Sequence, residues 1–335
     1  MILVTGGTGM IGAHLLLAFA KDKLDILALY RWKSSIDKVA DLFKLMAPKN
    51  PEYFDSIQWH QSDLNDLVQL EKIFPKVTEV YHCAAKVSFA QYHTDKLIKT
   101  NIEGTANLIN LAIKHKIKKF GYLSSVAALG VESAVKLVNE EHLWNSSEIH
   151  TPYAYSKYGA ELEVWRGSQE GLKVVIVNPG IVLGSHFWNR SSGTLIKRIA
   201  RGMNFYPTGN AGIVAVDDVV DVLIRLMKSP IKNERFILVA ENLKYKDLIQ
   251  QIAIALEVKT AKFPLSKLLL NLLYILDKFA YALGLKKSFL NQATIQSLCS
   301  LQKYDGSKIE RILGFNYKST TETIKGIVAE FSSED

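Results

Sequence analysis

The chain has 335 residues, of which 48% are hydrophobic, so it is long and apolar enough to bury one large core and a smaller one and is not a disordered polymer. Its two cysteines, Cys83 and Cys299, are too few for a disulfide framework or a cysteine-rich metal site, which predicts no metal and a reducing compartment. The formal net charge of +8 suits an anionic ligand or surface, but no helix-turn-helix, zinc-finger or aromatic-basic repeat pattern accompanies it, so we predict no nucleic-acid partner.

The first predicted strand, ILVTG at residues 2–6, leads into the glycine-rich turn TGGTGMIG at 5–12. Because this strand begins almost at the first residue, the sequence leaves no room for a cleavable signal and predicts a cytoplasmic protein. Gly6, Gly9 and Gly12 allow a tight turn and a close approach of a pyrophosphate to the N-terminus of the following helix. A strand before and a helix after such a turn are typical of a dinucleotide site. The predicted cofactor contacts in this turn are Gly6, Thr8, Gly9, Met10 and Ile11.

The second predicted strand, DILALY at 25–30, ends in a basic stretch. A site selective for NAD usually places Asp or Glu there, to accept hydrogen bonds from the ribose hydroxyls. This chain has Arg31 and Lys33 instead. Their charges would attract the 2′-phosphate of NADP, so we predict NADP as the cofactor and NAD as the alternative. A solvated basic loop is the other interpretation of these two residues.

Short apolar runs alternate with amphipathic helical stretches over the first half of the chain. The predicted strands lie at 2–6, 25–30, 56–61, 79–85, 118–125 and 173–179. This alternation predicts an α/β fold with a doubly wound, Rossmann-type parallel sheet covered by helices on both faces. After residue 180 the alternation weakens. We therefore predict a dinucleotide-binding domain at 1–180, with a later strand and helix contribution from about 213–240, and an interleaved, smaller, mostly helical substrate-binding region at 181–335.

A helix is predicted to follow the fifth strand and its loop, in the stretch TPYAYSKYGAELEVW that begins at residue 151. Thr151 suits the N-cap and Pro152 suits the first helical position. The helix should continue to about Gly171.

Three tyrosines surround one lysine in this helix. Residues four apart lie on one helical face, so Tyr153 faces Lys157, whereas Tyr155 and Tyr158 point elsewhere. An ammonium beside a phenol favours the phenolate and lowers the phenol pKa, so the two side chains could form a proton-transfer pair. The spacing alone is also compatible with a chance pair on an exposed helix.

The most apolar segment, at 265–285, is interrupted by Lys267, Asp277 and Lys278 and is too short to span a bilayer. Its apolar residues form a stripe at helical spacing: Leu265, Leu268, Leu269, Leu272, Leu273, Ile275, Leu276, Phe279 and Leu283. We expect a helix near the mouth of a substrate cleft, with the stripe turned inward. The alternatives are an ordinary core helix and a peripheral membrane-resting face. Lysines would border such a face: Lys262, Lys267, Lys278, Lys286 and Lys287.

Over nearly its full length the chain resembles the extended short-chain dehydrogenase/reductase family. Six matches carry the resemblance, in order and spacing: TGGTGMIG at 5–12, SDLND at 62–66, HCAAKVSF at 82–89, NIEGTANL at 101–108, LSSVAALG at 123–130, and the pair Tyr153 and Lys157. The resemblance implies further cofactor contacts: Asp63 and Leu64 at the adenine, Ala84, Ala85 and Lys86 after the fourth strand, Tyr153 and Lys157 at the ribose, and Pro179, Gly180 and Val182 at the nicotinamide.

The resemblance also implies catalytic roles. Tyr153 would give its proton to the substrate oxygen, and Lys157 would hold the nicotinamide ribose and lower the pKa of Tyr153. Ser125 would orient the carbonyl oxygen by a hydrogen bond, with Ser124 as a weaker alternative. Asn101 would either position a proton-relay water or serve only the structure.

The same family includes dehydratases, epimerases and reductases. Dehydratases need acids beside the catalytic serine, but here Ser125 is followed by Val126, Ala127 and Ala128. Sugar-nucleotide epimerases usually have a polar loop where this chain has the apolar GIVLG at 180–184. Both comparisons favour a reductase.

The end of the chain is similar to the dihydroflavonol reductase and 3β-hydroxysteroid dehydrogenase branch, through Tyr304 and SKIERILGFNYKSTTETI at 307–324. We therefore expect an NADP-preferring oxidoreductase that interconverts a carbonyl and an alcohol on a small, fairly apolar substrate. The alternatives are an NAD-retaining nucleoside-diphosphate-sugar epimerase and a regulator that binds the dinucleotide without turnover. The resemblance also suggests a homodimer formed through the helices that carry Asn101 and Tyr153.

Overall fold

The computed structural model describes residues 1–88, 90–130, 135–282 and 291–334. The strands within these ranges are β1 (Ile2–Thr5), β2 (Ile26–Tyr30), β3 (Gln58–Gln61), β4 (Glu79–His82), β5 (Lys119–Leu123), β6 (Leu137–Val138), β7 (Val174–Pro179), β8 (Ile181–Leu183), β9 (Phe205–Pro207), β10 (Asn210–Ala215), β11 (Glu234–Leu238), β12 (Glu241–Lys244), β13 (Phe263–Leu265) and β14 (Lys303–Tyr304).

The α-helices within the same ranges are α1 (Met10–Lys21), α2 (Ser34–Met46), α3 (Glu52–Asp55), α4 (Leu67–Ile73), α5 (Thr94–Leu97), α6 (Gly104–Lys114), α7 (Pro152–Gln169), α8 (Ser191–Ala200), α9 (Val216–Lys228), α10 (Tyr245–Ala255), α11 (Lys267–Ala282), α12 (Gln292–Cys299), α13 (Ser307–Leu313) and α14 (Thr320–Glu334). Tighter 3₁₀ turns lie at Phe74–Lys76, Gln91–His93 and Val126–Leu129, and a π-helical turn at Ile98–Glu103 joins α5 to α6.

Seven parallel strands form the central sheet in the order β11-β7-β5-β4-β1-β2-β3. Every residue of β5 and β7 is buried, as expected for central strands covered by helices on both faces. Helices α1 and α9 cover one face, where Leu16 and Val219 belong to one apolar core, and α6 and α7 cover the other, where Leu108 and Val164 belong to a second. The predicted doubly wound Rossmann-type fold is confirmed.

The sheet order reverses at β1, because β2 and β3 lie on one side of it and β4 begins the other side. In a parallel α/β sheet, this reversal opens a crevice beyond the carboxyl ends of the two central strands. Gly6 follows β1 and Cys83 follows β4, so the glycine-rich turn lies at this crevice. The topology therefore puts the predicted dinucleotide turn where such folds bind ligands.

The stretch 213–240 is divided between two sheets. Helix α9 packs against β5 and β7, and β11 extends the central sheet beside β7. Residues 213–215 instead belong to β10, which pairs with β8 and β12 in a separate three-stranded sheet. A small core on this second sheet includes residues of α8, α10 and α14. The later part of the chain therefore contains small sheets as well as helices.

Helix α11 confirms the helix predicted within 265–285, but the predicted direction of its apolar stripe is wrong. Leu268, Ile275 and Phe279 are exposed, whereas Leu270 and Asp277 are buried. Within the described part of the chain, α11 packs chiefly on α12 and leaves one side of the helix open to solvent. The predicted residues Leu283, Lys286 and Lys287 lie outside the described ranges. Among the helices within those ranges, none combines the length and the hydropathy that a bilayer crossing requires.

Candidate active site

The glycine-rich turn is shaped by two close backbone approaches. Gly6 has φ +71°, and a Cβ on it would lie 2.5 Å from the Ala84 nitrogen. A Cβ on Gly12 would lie 2.2 Å from the Gly6 carbonyl oxygen, which also accepts a hydrogen bond from the Gly9 N–H at 2.9 Å. Only glycine fits both positions without a shift of the backbone. The turn thus delivers the first N–H groups of α1 to the crevice, where they suit a pyrophosphate.

A cavity of about 680 Å³ extends from this turn, across the carboxyl edge of the central sheet, to the later part of the chain. Its lining includes these predicted site residues: Gly6, Gly9, Met10, Ile11, Ala85, Ser125, Tyr153, Lys157, Pro179, Gly180 and Val182. The other predicted residues lie outside the lining: Thr8, Arg31, Lys33, Asp63, Leu64, Ala84, Lys86 and Asn101. The structure therefore brings the Ser, Tyr and Lys side chains together with the glycine-rich turn in one cavity.

Helix α7 begins as the sequence predicts, and its register directs Tyr153 into the cavity. The Thr151 hydroxyl caps the helix by accepting a hydrogen bond from the Ala154 N–H at 3.1 Å. Tyr155 is exposed, and Tyr158 stacks on the Trp144 ring with centroids 4.3 Å apart. Of the three tyrosines near Lys157, Tyr153 alone lines the described part of the cavity.

The environment of Tyr153 corrects one expectation. The sequence predicts a lowered pKa for its phenol, but burial raises this pKa, and the hydrogen bond with the Ser125 side chain only partly opposes that effect. Desolvation penalises the phenolate, which is the charged form. The Tyr153 phenol is consequently held in its protonated form at neutral pH.

Lys157 is almost fully buried, and its Nζ donates a hydrogen bond to the Leu123 carbonyl oxygen at 2.7 Å. The same Nζ lies 4.3 Å from the centroid of the Tyr122 ring. Burial lowers the pKa of Lys157 to about 7, and the nearby Glu161 carboxylate opposes this shift. Lys157 therefore loses its proton at a lower pH than a surface lysine does.

The two serines at the end of β5 face different groups. Ser125 caps the short turn Val126–Leu129, where its Oγ accepts a hydrogen bond from the Ala127 N–H at 3.2 Å, and it also contacts Tyr153. Ser124 is buried and donates to the Glu161 carboxylate at 2.7 Å. Ser125 is thus the serine that reaches the Tyr153 phenol.

A buried polar network below the cavity was not identified from the sequence. The Glu161 carboxylate accepts hydrogen bonds from Ser124 at 2.7 Å and from the Asn178 side chain at 2.9 Å, and Arg235 Nη1 lies 3.3 Å from it. Asn178 also donates to the Ser125 carbonyl oxygen at 3.1 Å. Glu161 follows Lys157 by four residues on α7, and that spacing was the available sequence signal. The network joins α7 to β5, β7 and β11 beside the proposed catalytic groups.

Asn101 connects the loop after β4 to α7. Its side-chain oxygen accepts from the Lys86 N–H at 2.7 Å, and its amide nitrogen donates to the Lys86 carbonyl at 3.0 Å and to the Ser156 hydroxyl at 2.9 Å. Both amide hydrogens are therefore used within the protein. The π-helical turn that carries Asn101 aims its side chain at this loop. These contacts favour the structural role over the proton relay.

Cations gather at the far edge of the crevice, where β2 and β3 end. Arg31 Nη1 lies 3.9 Å from the Asp63 carboxylate, and both side chains are about half exposed. The pKa of Lys86 is lowered by desolvation and by the charges of Lys96 and Arg31, so these cations are close enough to influence one another. Lys33 is exposed at the N-cap of α2. This edge can bind a phosphate group, although Asp63 offsets part of its charge.

The opposite end of the cavity is built from segments that lie far apart in the sequence. Its apolar wall includes Ile149, Ile181 and Leu195, and α12 adds several further lining residues: Ala293, Thr294, Gln296, Ser297 and Leu298. The hydroxyls of Ser192 and Thr294 are buried and have no hydrogen-bond partner among the described residues. An apolar wall interspersed with polar residues such as Gln296 and Ser297 can hold a ligand that is largely apolar and carries hydrogen-bonding groups.

Metal binding has no comparable support, because no cluster of His, Cys, Asp and Glu able to hold an ion occurs in the described ranges.

The family described as the NAD dependent epimerase/dehydratase family matches residues 2–239. The chain belongs to this family. The expected resemblance to extended short-chain dehydrogenases/reductases is confirmed, and the protein is an enzyme of this NAD dependent epimerase/dehydratase family.

The chain is similar to proteins named as reductases and to one named as an epimerase. A putative dihydroflavonol 4-reductase from Synechocystis sp. is 27% identical, and the alignment covers 98% of this chain and 94% of that protein. Tetraketide alpha-pyrone reductase 2 of Arabidopsis thaliana is 28% identical, covering 74% of this chain and 80% of its own length. The structure of a UDP-glucose 4-epimerase with UDP-glucose from Thermotoga maritima has a TM-score of 0.77 and 21% identity, and the superposition covers 99% of both chains. This last likeness shows the shared fold.

Proposed function

We propose that this protein is a dinucleotide-dependent oxidoreductase that interconverts a carbonyl and an alcohol on a small, largely apolar substrate. The observation that carries the proposal is that Ser125, Tyr153, Lys157 and the glycine-rich turn all line one cavity. A proton donor, a group that orients an oxygen, and a dinucleotide turn in one cavity are the parts that carbonyl reduction requires.

Tyr153 is suited to give a proton to a developing alkoxide. Its raised pKa keeps the phenol protonated before reaction, so the proton is available at neutral pH. The Ser125 hydroxyl would donate a hydrogen bond to the same substrate oxygen and hold it beside the phenol. Lys157, with a pKa of about 7, would stabilise the phenolate that remains and help to return a proton to it.

The dinucleotide would be held by backbone groups of the glycine-rich turn, by Ala85, and by Pro179, Gly180 and Val182 at the other side of the cavity. When bound, it supplies or accepts the hydride. Arg31 and Lys33, which follow β2, would favour NADP because their positive charges attract its 2′-phosphate.

The substrate end of the cavity supports a reductase over a sugar-nucleotide epimerase. A nucleoside-diphosphate sugar brings two phosphates, which proteins commonly pair with Arg or Lys. Among the described residues that line the cavity, Lys157 is the only lysine or arginine, and its Nζ already donates a hydrogen bond to the Leu123 carbonyl oxygen. The apolar wall of Ile149, Ile181 and Leu195 suits a less polar compound.

Turnover of a panel of small ketones and aldehydes with NADPH or NADH would test the proposal, measured as loss of the reduced dinucleotide. We expect reduction of at least one apolar carbonyl compound by the wild type and little by Tyr153→Phe. Interconversion of UDP-sugars, with a dinucleotide that stays bound through purification, would establish the epimerase instead. Dinucleotide binding without turnover of any compound would indicate a regulator.

A further inference from the structure

Helix α11 presents its most apolar side chains to solvent. Leu268, Ile275 and Phe279 are 82%, 62% and 64% exposed. Together with Leu272 and Leu276 they form what we call the α11 outer face, which extends about 16 Å along the helix axis. A surface helix of a globular protein normally turns such a stripe toward its core. The exposed stripe therefore indicates that something apolar covers this face.

The charge around the α11 outer face is positive. Lys267 and Lys278 are exposed on the helix, and Lys262 is exposed shortly before it. The single acid in the helix sequence, Asp277, is only 4% exposed, so it adds no negative charge to the outer face. The whole chain carries a formal net charge of +8. An occupant of this face should be both apolar and anionic.

We propose that the α11 outer face docks the protein onto the surface of a membrane that contains anionic phospholipids. The five apolar side chains would enter the boundary between headgroups and acyl chains, while Lys262, Lys267 and Lys278 contact headgroup phosphates. The membrane affinity of an interfacial helix grows with its buried apolar area and with its attraction to anionic lipids, and α11 combines both features.

A second copy of the chain suits this face less well. A symmetric dimer through the α11 outer face would place the same patch of both copies in contact. Lys267 and Lys278 of one copy would then lie near the same two lysines of the other, and the described residues of α11 offer no exposed acid to pair with them. Like charges brought together in this way oppose association.

Docking through α11 would also bring the bilayer close to the cavity. Helix α11 packs against α12, and Thr294, Ser297 and Leu298 of α12 line the cavity. An apolar compound dissolved in the bilayer would thus be held near the wall of the proposed substrate site. The docking itself rests on the surface of α11 and does not depend on the proposed function.

Vesicle flotation of the full chain tests the proposal without any activity measurement. The probes are vesicles of phosphatidylcholine alone and of phosphatidylcholine mixed with phosphatidylglycerol. We expect the wild type to float with the mixed vesicles only. The double variant Leu272→Ser/Ile275→Ser should lose about tenfold or more in partitioning, and Lys267→Gln/Lys278→Gln about fivefold for each lysine. Val68→Ser, a similarly exposed apolar change on α4, is the matched control and should bind as the wild type does.

Circular dichroism would establish that the variants fold, since the substituted side chains are exposed. The proposal is overturned if the wild type does not float with the mixed vesicles, or if Leu272→Ser/Ile275→Ser floats as well as Val68→Ser. A wild-type dimer in gel filtration that becomes a monomer in Leu272→Ser/Ile275→Ser, without vesicle binding, would assign the face to a second copy and also overturn it.

Discussion

Lys157 Nζ lies 2.7 Å from the Leu123 carbonyl oxygen and donates a hydrogen bond to it, although Lys157 and Tyr153 share one face of α7. The lysine is thereby tied to the end of β5, next to Ser124 and Ser125. Burial lowers its pKa to about 7, while Glu161 one turn further along α7 opposes the shift. The charge state of Lys157 therefore depends on groups from two secondary-structure elements, β5 and α7.

Replacing Tyr153 by Phe should reduce carbonyl turnover by about a hundredfold to ten-thousandfold, because the proton donor is lost. Dinucleotide affinity should change little, since the phenyl ring retains the shape of the side chain. Tyr155→Phe is the matched control, because Tyr155 is exposed on the same helix. Steady-state rates and dinucleotide titrations check both variants. An inactive Tyr155→Phe beside an active Tyr153→Phe would refute the register that we assign.

The lowered pKa of Lys157 should make folding stability depend on pH. An unfolded chain carries this lysine with its ordinary pKa of about 10.5, so between about pH 7 and 9 the unfolded state binds more protons than the folded state. Unfolding free energy should therefore rise with pH across this window. In Lys157→Met the rise should be smaller than in the wild type, while Lys118→Met, at an exposed position, should leave it unchanged.

Denaturant titrations at several pH values would measure these slopes. Equal slopes for the wild type and Lys157→Met would show that Lys157 keeps an ordinary pKa in the folded protein. The window ends near pH 9, because buried tyrosines with raised pKa values, such as Tyr122 and Tyr153, work in the opposite direction at higher pH.

Glu161→Gln should destabilise the fold by about 3 kcal/mol, because it leaves the largely buried Arg235 without its carboxylate partner. It should also lower the pKa of Lys157 further, since Glu161 raises that pKa in the wild type. If the charged lysine is the active form, turnover should then be lost at a lower pH than in the wild type when the pH is raised. Glu163→Gln, on the same helix and paired with the surface residue Arg166, should cost less than about 1 kcal/mol. A similar stability loss for both variants would argue against a special role for Glu161.

Arg31→Ala should weaken NADPH binding by about tenfold and leave NADH binding nearly unchanged. A charge-assisted hydrogen bond to the 2′-phosphate would by itself give a larger loss of affinity. Arg31 is half exposed, however, and lies 3.9 Å from Asp63, so we expect a loss of only about tenfold. Lys33→Ala should have a smaller effect, because Lys33 is an exposed point charge. Added salt should reduce the NADPH preference of the wild type.

Fluorescence titration of both dinucleotides would measure these affinities. Equal losses for NADPH and NADH in Arg31→Ala would mean that Arg31 supports the fold. A wild-type preference for NADH would exclude the proposed NADP selectivity.

Local patterns in the sequence determine much of the fold and of the proposed cofactor end. The glycine-rich turn, the parallel strands and the register of Tyr153 with Lys157 follow from spacing within a few residues, where backbone geometry alone sets which side chains share a face. The same locality explains the Thr151 cap and the start of α7. These features appear in the structure at nearly the predicted positions.

Tertiary structure decided what depends on residues distant in the chain. Glu161 and Arg235 meet only because β11 joins the sheet beside β7, and α12 reaches the cavity wall from more than a hundred residues beyond Tyr153. The pKa of Tyr153 is raised because the folded chain buries its phenol, and the spacing of residues in the sequence does not reveal this burial. The outward stripe of α11 shows the same limit: helical periodicity identifies an apolar face, but only the packing of neighbouring elements determines whether that face meets a core or remains at the surface.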